Sequence, residues 1–406
     1  MGNNFHVEHK KQLPVGSDTT ANFSCTFTMG HWSASQARKL ALFLVVAAMV
    51  SIAMPASGTV NTLGTARLFG TTCPDEGIAN ATCYEVVISD CPDTTGDFVA
   101  VIKVNDPPDP FFSNGTVFFT VSGTGIGFYD NAFPKTDPRC SEGENCSLMA
   151  VQNINSAGYR TVQVNFNDPD DPGLEPSGWL TGPAVYGHRS LACRYATLVH
   201  QVWVDLLDGD TQRPVCATGN SAGGSAIGYA ITQYGMGNPG GPGPLFTMVE
   251  PTSGPPMSRI DHGCMGPAAP RPVVSCPAGT SISENYGLAL AAAYLDPAFY
   301  SDVCTIDIES DGEDADPTFF HDSVLSDDFP QPHYQTFVKI LFGSADLTQA
   351  VPLGLEWYDA ITSPKAEECI AGAGHELPAD FDGAAAIVED VTTFCRPRLE
   401  DIHSKR

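Results

Sequence analysis

The sequence predicts an α/β protein, with a mostly parallel central sheet and helices on both of its faces. Two observations carry this. Short runs rich in β-branched and aromatic residues recur along the chain, several of them almost free of charge, as strands buried on both faces require. From about residue 189 onward such runs alternate with segments whose apolar residues fall at helical spacing, and that alternation implies parallel strands joined by crossover helices.

The elements follow in order. "CYEVVIS" (83–89) and "FVAVIKV" (98–104) read as strands, and the Asp, Pro, Thr and Gly between them read as a hairpin loop. "GTVFFTVSG" (115–123) and "TVQVNFN" (161–167) are the third and fourth strands. In 189–206, Leu191, Tyr195, Leu198, Val199, Val202 and Leu206 form one helical stripe, which Asp208-Gly209-Asp210 ends. "PVCAT" (214–218) is a strand, and the helix after it (222–235) stops at Gly235. "PLFTMVE" (244–250), "FVKILFG" (337–343) and "EECIAGAG" (367–374) are further strands; 352–361 and 384–394 are helices. Segment 251–336 breaks the rhythm with Pro, Gly and three cysteines, Cys264, Cys276 and Cys304. It reads as a cap-like insertion over the sheet, with one helix over 285–295.

The 406-residue chain is 42% hydrophobic, enough for a large core. Its 39 glycines and 32 prolines show no fixed period and read as loops. The net charge of −27 repels polyanions, which excludes nucleic acid as a partner.

Residues 37–58, "ARKLALFLVVAAMVSIAMPASG", place Arg38 and Lys39 before an uncharged run from Leu40 to Met54 and small residues after it. This is the layout of a secretory signal peptide, cleaved near Ala53 or Ala56. The run is shorter than the ~20 residues of a membrane span. Residues 1–56 are thus a leader and 57–406 one domain; translation from Met29 and an uncleaved anchor, the one route to a membrane, are the alternatives. Of 13 cysteines only Cys25 precedes the run, and the remaining 12 suit an oxidising compartment and a secreted protein. Close groups (Cys73/Cys83/Cys91, Cys140/Cys146, Cys264/Cys276) are candidate pairs. Asn80, Asn114 and Asn145 begin glycosylation triplets.

The chemistry centres on Gly219-Asn220-Ser221-Ala222-Gly223, a G-x-S-x-G pattern between a strand and a helix. A strand that turns abruptly into a helix holds the serine in strained backbone, and flanking glycines permit the close approach this needs. The alternative is an ordinary turn with a capping serine. A serine hydroxyl needs a base, and the base a carboxylate to orient it. Asp346 and His375 each stand just past a strand, where the C-terminal strand ends of a parallel sheet gather. His188, His200, His262 and His333 are rival bases, and Glu250 is a rival acid.

With this order of Ser, Asp and His, the elbow "GNSAGG", the acid loop "GSADLTQAVP" and the histidine loop "GAGHELP", the chain resembles the α/β-hydrolases over residues 82–395. The resemblance implies Ser221 as nucleophile, His375 as general base and then acid, and Asp346 as the orienting carboxylate. It implies an oxyanion hole from the Ala222 N–H and a donor in the loop "VSGTGIGFYDN", Thr124 or Gly125. That loop departs from the His-Gly-Gly form of many lipases and esterases.

Other features weigh less. The run 307–316 partly imitates a calcium loop at Asp307, Glu309, Asp311 and Gly312, but Thr318 stands where the closing glutamate belongs. It reads as a solvated loop, and "NDPDDPG" (167–173) as a turn. Phe128, Tyr129 and Trp179 are candidates for a cleft lining or for core. The expectation is a secreted serine carboxylesterase acting on a small or polymeric ester, with no cofactor or metal. Peptidase or amidase, polysaccharide deacetylase or polymer depolymerase, and a non-catalytic binding module are the alternatives.

Overall fold

The computed structural model describes residues 60–74, 77–109, 113–121, 127–135, 137–140, 145–166, 178–180, 187–238, 240–265, 291–299, 303–309, 317–327 and 335–397. The leader 1–56, Thr124, Gly125, the turn 167–173, Cys276, residues 310–316 and His333 lie outside them.

Nine strands form one sheet: β1 (Thr65–Thr71), β2 (Thr82–Ser89), β3 (Phe98–Asn105), β4 (Gly115–Thr120), β5 (Tyr159–Asn165), β6 (Val215–Asn220), β7 (Phe246–Thr252), β8 (Phe337–Gly343) and β9 (Lys365–Ile370), in the order β1-β2-β3-β5-β4-β6-β7-β8-β9. The pairs β1–β2, β2–β3 and β3–β5 are antiparallel. From β5 to β9 all neighbours are parallel. The helices are α1 (Tyr129–Ala132), α2 (Cys146–Ser156), α3 (His188–Leu191), α4 (Cys193–Leu206), α5 (Ala222–Thr232), α6 (Ile260–Cys264), α7 (Asp296–Phe299), α8 (Val303–Glu309), α9 (Pro317–Asp322), α10 (Ala350–Ala360) and α11 (Phe381–Phe394).

The expected hairpin is β2–β3. The central strand β4 is buried along its whole length, and its side chains alternate between two cores. Phe118 packs with Leu198 of α4 and Ile227 of α5. Val117 and Phe119 pack on the opposite face with Val151 of α2 and Ile387 of α11. Covering both faces with helices buries β4 completely, which is why it reads as a continuous uncharged run.

Boundaries differ where turns intervene. β4 ends at Thr120, β6 continues to Asn220, and β9 ends at Ile370 before a turn. The single helix expected over 189–206 is interrupted at Ala192, whose backbone stays helical (φ −65°, ψ −17°). The helix after the elbow ends at Thr232, and Gly235 (φ +74°) makes the left-handed turn beyond it. Several elements were not expected, β1 and α2 among them. β1 is an edge strand with Ala66 alone buried, and α2 mixes Leu148, Val151 and Ile154 with polar residues.

Between β7 and β8 the described residues form a 3-10 turn (Pro256–Arg259), α6, a π-turn (Ala291–Leu295) and α7 to α9. The helix expected over 285–295 is described only from Ala291 and is π-helical there. The end of α9 is bolted to the core. Asp322 accepts the backbone N–H groups of His188 (2.7 Å) and Arg189 (2.9 Å), and Tyr229 donates to the Asp322 carbonyl (2.7 Å). Asp307 and Glu309 lie within α8, so the first ligand positions of a calcium loop are helical.

Among the described residues, disulfides join Cys73–Cys83, Cys91–Cys193, Cys140–Cys146, Cys216–Cys395 and Cys264–Cys304, and Cys369 is disulfide-bonded as well. Two of the close pairs expected from spacing form. Cys91 and Cys264 pair instead with distant partners, because the fold brings the end of β2 to α4 and α6 to α8. Asn145 is 2% exposed and its amide donates to the Phe133 carbonyl, so the folded chain hides it from modification; Asn80 and Asn114 are exposed.

One buried ion pair crosses the core. Lys103 Nζ of β3 donates to Asp130 Oδ2 of α1 at 2.8 Å, and Gln163 Nε2 and the Ile78 N–H, each at 2.9 Å, share that oxygen. No helix among the described residues is long and apolar enough to cross a membrane.

Candidate active site

Ser221 stands between β6 and α5 with φ +53° and ψ −120°, a left-handed conformation that L-residues rarely adopt. Its own N–H donates to the Thr252 carbonyl (2.8 Å) at the end of β7. The turn is tight on both sides. A Cβ on Gly219 would lie 2.8 Å from the carbonyl carbon of Gly223, and one on Gly223 would lie 2.7 Å from the Thr120 carbonyl oxygen. Both glycines are therefore required, one to let strand meet helix and the other to let the helix meet β4. Asn220 is buried and ties the elbow to β7, its Oδ1 accepting from Thr252 Oγ1 at 2.9 Å. Ala222 opens α5, so its N–H has no partner within the helix.

Asp346 and His375 leave the C-terminal ends of β8 and β9, on the sheet edge that carries Ser221. Asp346 is 1% exposed. Its Oδ2 lies 2.9 Å from His375 Nδ1, and its Oδ1 accepts from the Thr348 N–H at 2.9 Å. An ionised carboxylate can only accept, so Nδ1 carries the hydrogen and Nε2 presents a lone pair. Burial pushes the Asp346 pKa up, but the hydrogen bond and charge of His375 and the bonds from Thr348 prevail and hold it below the ordinary value. His375 keeps 30% of its side chain exposed.

The two loops are joined through the main chain. Ser344 N–H donates to the Ile370 carbonyl (2.9 Å), Ala345 N–H to the Ala373 carbonyl (2.8 Å), and Gly372 N–H to Ser344 Oγ (2.7 Å). A Cβ on Gly343 would lie 2.7 Å from the Ala373 carbonyl carbon. The structure thus joins Asp346 to His375 directly. Ser221 reaches the same edge, half-buried, with no hydrogen bond from its hydroxyl to His375.

Of the rivals, Glu250, His188, His200 and His262 lie among the described residues. Glu250 lies inside β7, fully buried, with Oε1 accepting from Thr218 Oγ1 at 3.1 Å. Burial, and then the charge of Asp390, push its pKa well up, which disfavours the ionised form that would stabilise an imidazolium. His188 is buried against Trp179 and Phe299. His262 has both ring nitrogens occupied, Nδ1 by Glu356 (2.8 Å) and Nε2 by Arg259. His200 lies in α4 beside Trp203, its pKa lowered by burial. Phe128, Tyr129 and Trp179 belong to the core, at 7%, 0% and 1% exposure. Thr348, whose hydroxyl lies 3.0 Å from His375 Nδ1, was not anticipated; the only trace it leaves in the sequence is a position two residues after the acid.

Thr124 and Gly125, the expected second oxyanion donors, lie outside the described residues. Their loop starts at Val121, whose carbonyl oxygen would lie 2.5 Å from a Cβ on Gly223. It therefore departs beside the first turn of α5.

No family model and no curated protein sequence matches the chain. Among solved structures it is similar to dienelactone hydrolase from Anabaena variabilis (11% identity, 78% of this chain and 99% of that one, TM-score 0.40). It is also similar to Est1E from Butyrivibrio proteoclasticus (11%, 76% and 98%, 0.38) and to acetyl xylan esterase from Paenibacillus sp. R4 (13%, 87% and 93%, 0.43). What defines the architecture is the strand order, the parallel block from β5 to β9 and the strained serine between β6 and α5: the chain has the α/β-hydrolase fold.

Proposed function

We propose that the protein is an exported serine hydrolase that cleaves an ester bond through an acyl-enzyme. The observation that carries this is the 2.9 Å bond between Asp346 and His375 on the sheet edge that also bears the strained Ser221. His375 Nε2 takes the Ser221 proton as Oγ attacks the ester carbonyl. The Ala222 N–H, with a second donor in the loop after β4, receives the negative charge that develops on the carbonyl oxygen. The imidazolium, stabilised by Asp346, gives its proton to the departing alkoxide, which leaves as the alcohol. Water then enters and gives a proton to His375, and its oxygen attacks the acyl carbon. Ser221 Oγ departs with the proton returned by His375, releasing the carboxylic acid.

Every step uses side chains and main-chain N–H groups of this chain. Export is supported by the leader and by the disulfides among the described residues, and the α6 to α9 insertion is read as the cap that shapes the substrate cleft. A fluorophosphonate probe should label the protein at Ser221, and Ser221→Ala should abolish both labelling and turnover. A panel of short and long p-nitrophenyl esters, acetylated sugars and peptide amides tests the bond: turnover of amides alone would overturn the ester assignment.

A further inference from the structure

Thr348 touches both members of the acid–base pair. Its backbone N–H donates to Asp346 Oδ1 at 2.9 Å, and its Oγ1 lies 3.0 Å from His375 Nδ1, the nitrogen that Asp346 Oδ2 meets at 2.9 Å. Nδ1 has one hydrogen and faces two oxygens at nearly equal distance. Oγ1 also receives the Ala350 N–H at 3.3 Å, which fixes the side chain at the start of α10. The same hydroxyl favours the ionised form of Asp346.

We propose that Thr348 is a positioning residue that clamps the imidazole of His375 against Asp346. This rests on the role proposed for His375 above. A carboxylate alone restrains Nδ1 at one point and leaves the ring free to pivot about that bond. A second oxygen on the same nitrogen removes the pivot and aims Nε2 along one direction. The ring is 30% exposed, so without Thr348 water reaches Nδ1 and competes for its hydrogen. Misaiming a base affects the proton-transfer step more than substrate binding, and a misplacement of about 1 Å can reduce rate by up to ~100-fold.

A second role must be separated from this one. Thr348 also receives an N–H at the start of a helix, and loss of that contact alone lowers stability without altering chemistry. The test compares Thr348→Val, Thr348→Ala and Thr348→Ser with the parent. Three readouts are taken: steady-state kinetics on a p-nitrophenyl ester, thermal stability, and the proton NMR resonance of the His375 Nδ1–H. The valine and alanine variants should lose about tenfold in kcat with KM unchanged and should lose the Nδ1–H signal to exchange with water. Serine should restore both to within about twofold, because it keeps the hydroxyl. Folded valine or alanine variants with parental kcat and a parental Nδ1–H signal would overturn the proposal, as would a serine variant as impaired as valine. If Ser221 of the parent fails to react with a fluorophosphonate, the proposed function fails instead, and the Nδ1–H comparison still decides the clamp.

Discussion

Asp346 Oδ2 and His375 Nδ1 stand 2.9 Å apart on loops that leave neighbouring parallel strands, while Glu250, on the strand before them, bonds to Thr218 inside the sheet. The two candidate acids therefore separate by experiment. Asp346→Asn should reduce kcat by about 10⁴-fold, because an amide can donate to Nδ1 and fix the wrong tautomer. Glu250→Gln should retain most of the parental kcat. Rates of p-nitrophenyl ester hydrolysis under saturating substrate check both.

Glu250 also makes stability depend on pH. Its folded pKa is raised by burial, and that of Asp390 is raised to about 6, again chiefly by burial. Below the ordinary carboxylate values both folded and unfolded chains hold these protons. As pH rises above them the unfolded chain releases protons that the folded chain keeps, so stability falls until each folded pKa is passed. For Asp390 the window runs from 3.8 to about 6; for Glu250 it opens at 4.5 and extends well above it. Glu250→Gln should flatten the decline, so that the gap in Tm between variant and parent shifts in the variant's favour from about pH 4 to pH 8. Differential scanning fluorimetry across that range checks the slope, and a parallel decline in both proteins would count against a protonated Glu250.

Gly223 carries the elbow against β4. Gly223→Ala places a methyl 2.7 Å from the Thr120 carbonyl, so it should cost about 1–3 kcal/mol and sharply reduce probe labelling of Ser221. A Cβ on Gly374, beside His375, would meet nothing within 4 Å, and Gly374→Ala should change stability by no more than ~0.5 kcal/mol. Urea denaturation of the two variants measures the contrast.

The Lys103–Asp130 pair is buried at both ends. Lys103→Met leaves the carboxylate without its cation and should cost about 3–5 kcal/mol, whereas adding Asp130→Leu should restore much of that loss. A double-mutant cycle from chemical denaturation gives the coupling, and additive losses would show that the pair contributes nothing beyond its separate side chains.

What could be read in the amino-acid order followed from burial and local geometry. β4 and β8 announce themselves because they are buried almost throughout and are rich in apolar side chains. The elbow is legible because glycine is demanded at both ends of a five-residue stretch, Gly219 by its approach to Gly223 and Gly223 by its approach to Thr120 and Val121. β1 escaped because an edge strand exposing most of its side chains has no alternation to display. The partners of Cys91 and Cys264 escaped because spacing along the chain carries no record of which distant segments meet. The choice between Asp346 and Glu250 needed the direction in which each side chain leaves its strand, and Thr348 needed the fold of the acid loop.

The strand ends that carry Ser221, Asp346 and His375 are tied to one another by main-chain bonds. Ser221 N–H holds Thr252, Ser253 N–H holds Leu341 (2.9 Å), and Ser344 N–H holds Ile370, a belt that runs across four strand ends. Peptide groups are the same whatever residue bears them. Substitutions in the covering segments can therefore leave the spacing of Ser221, Asp346 and His375 unchanged.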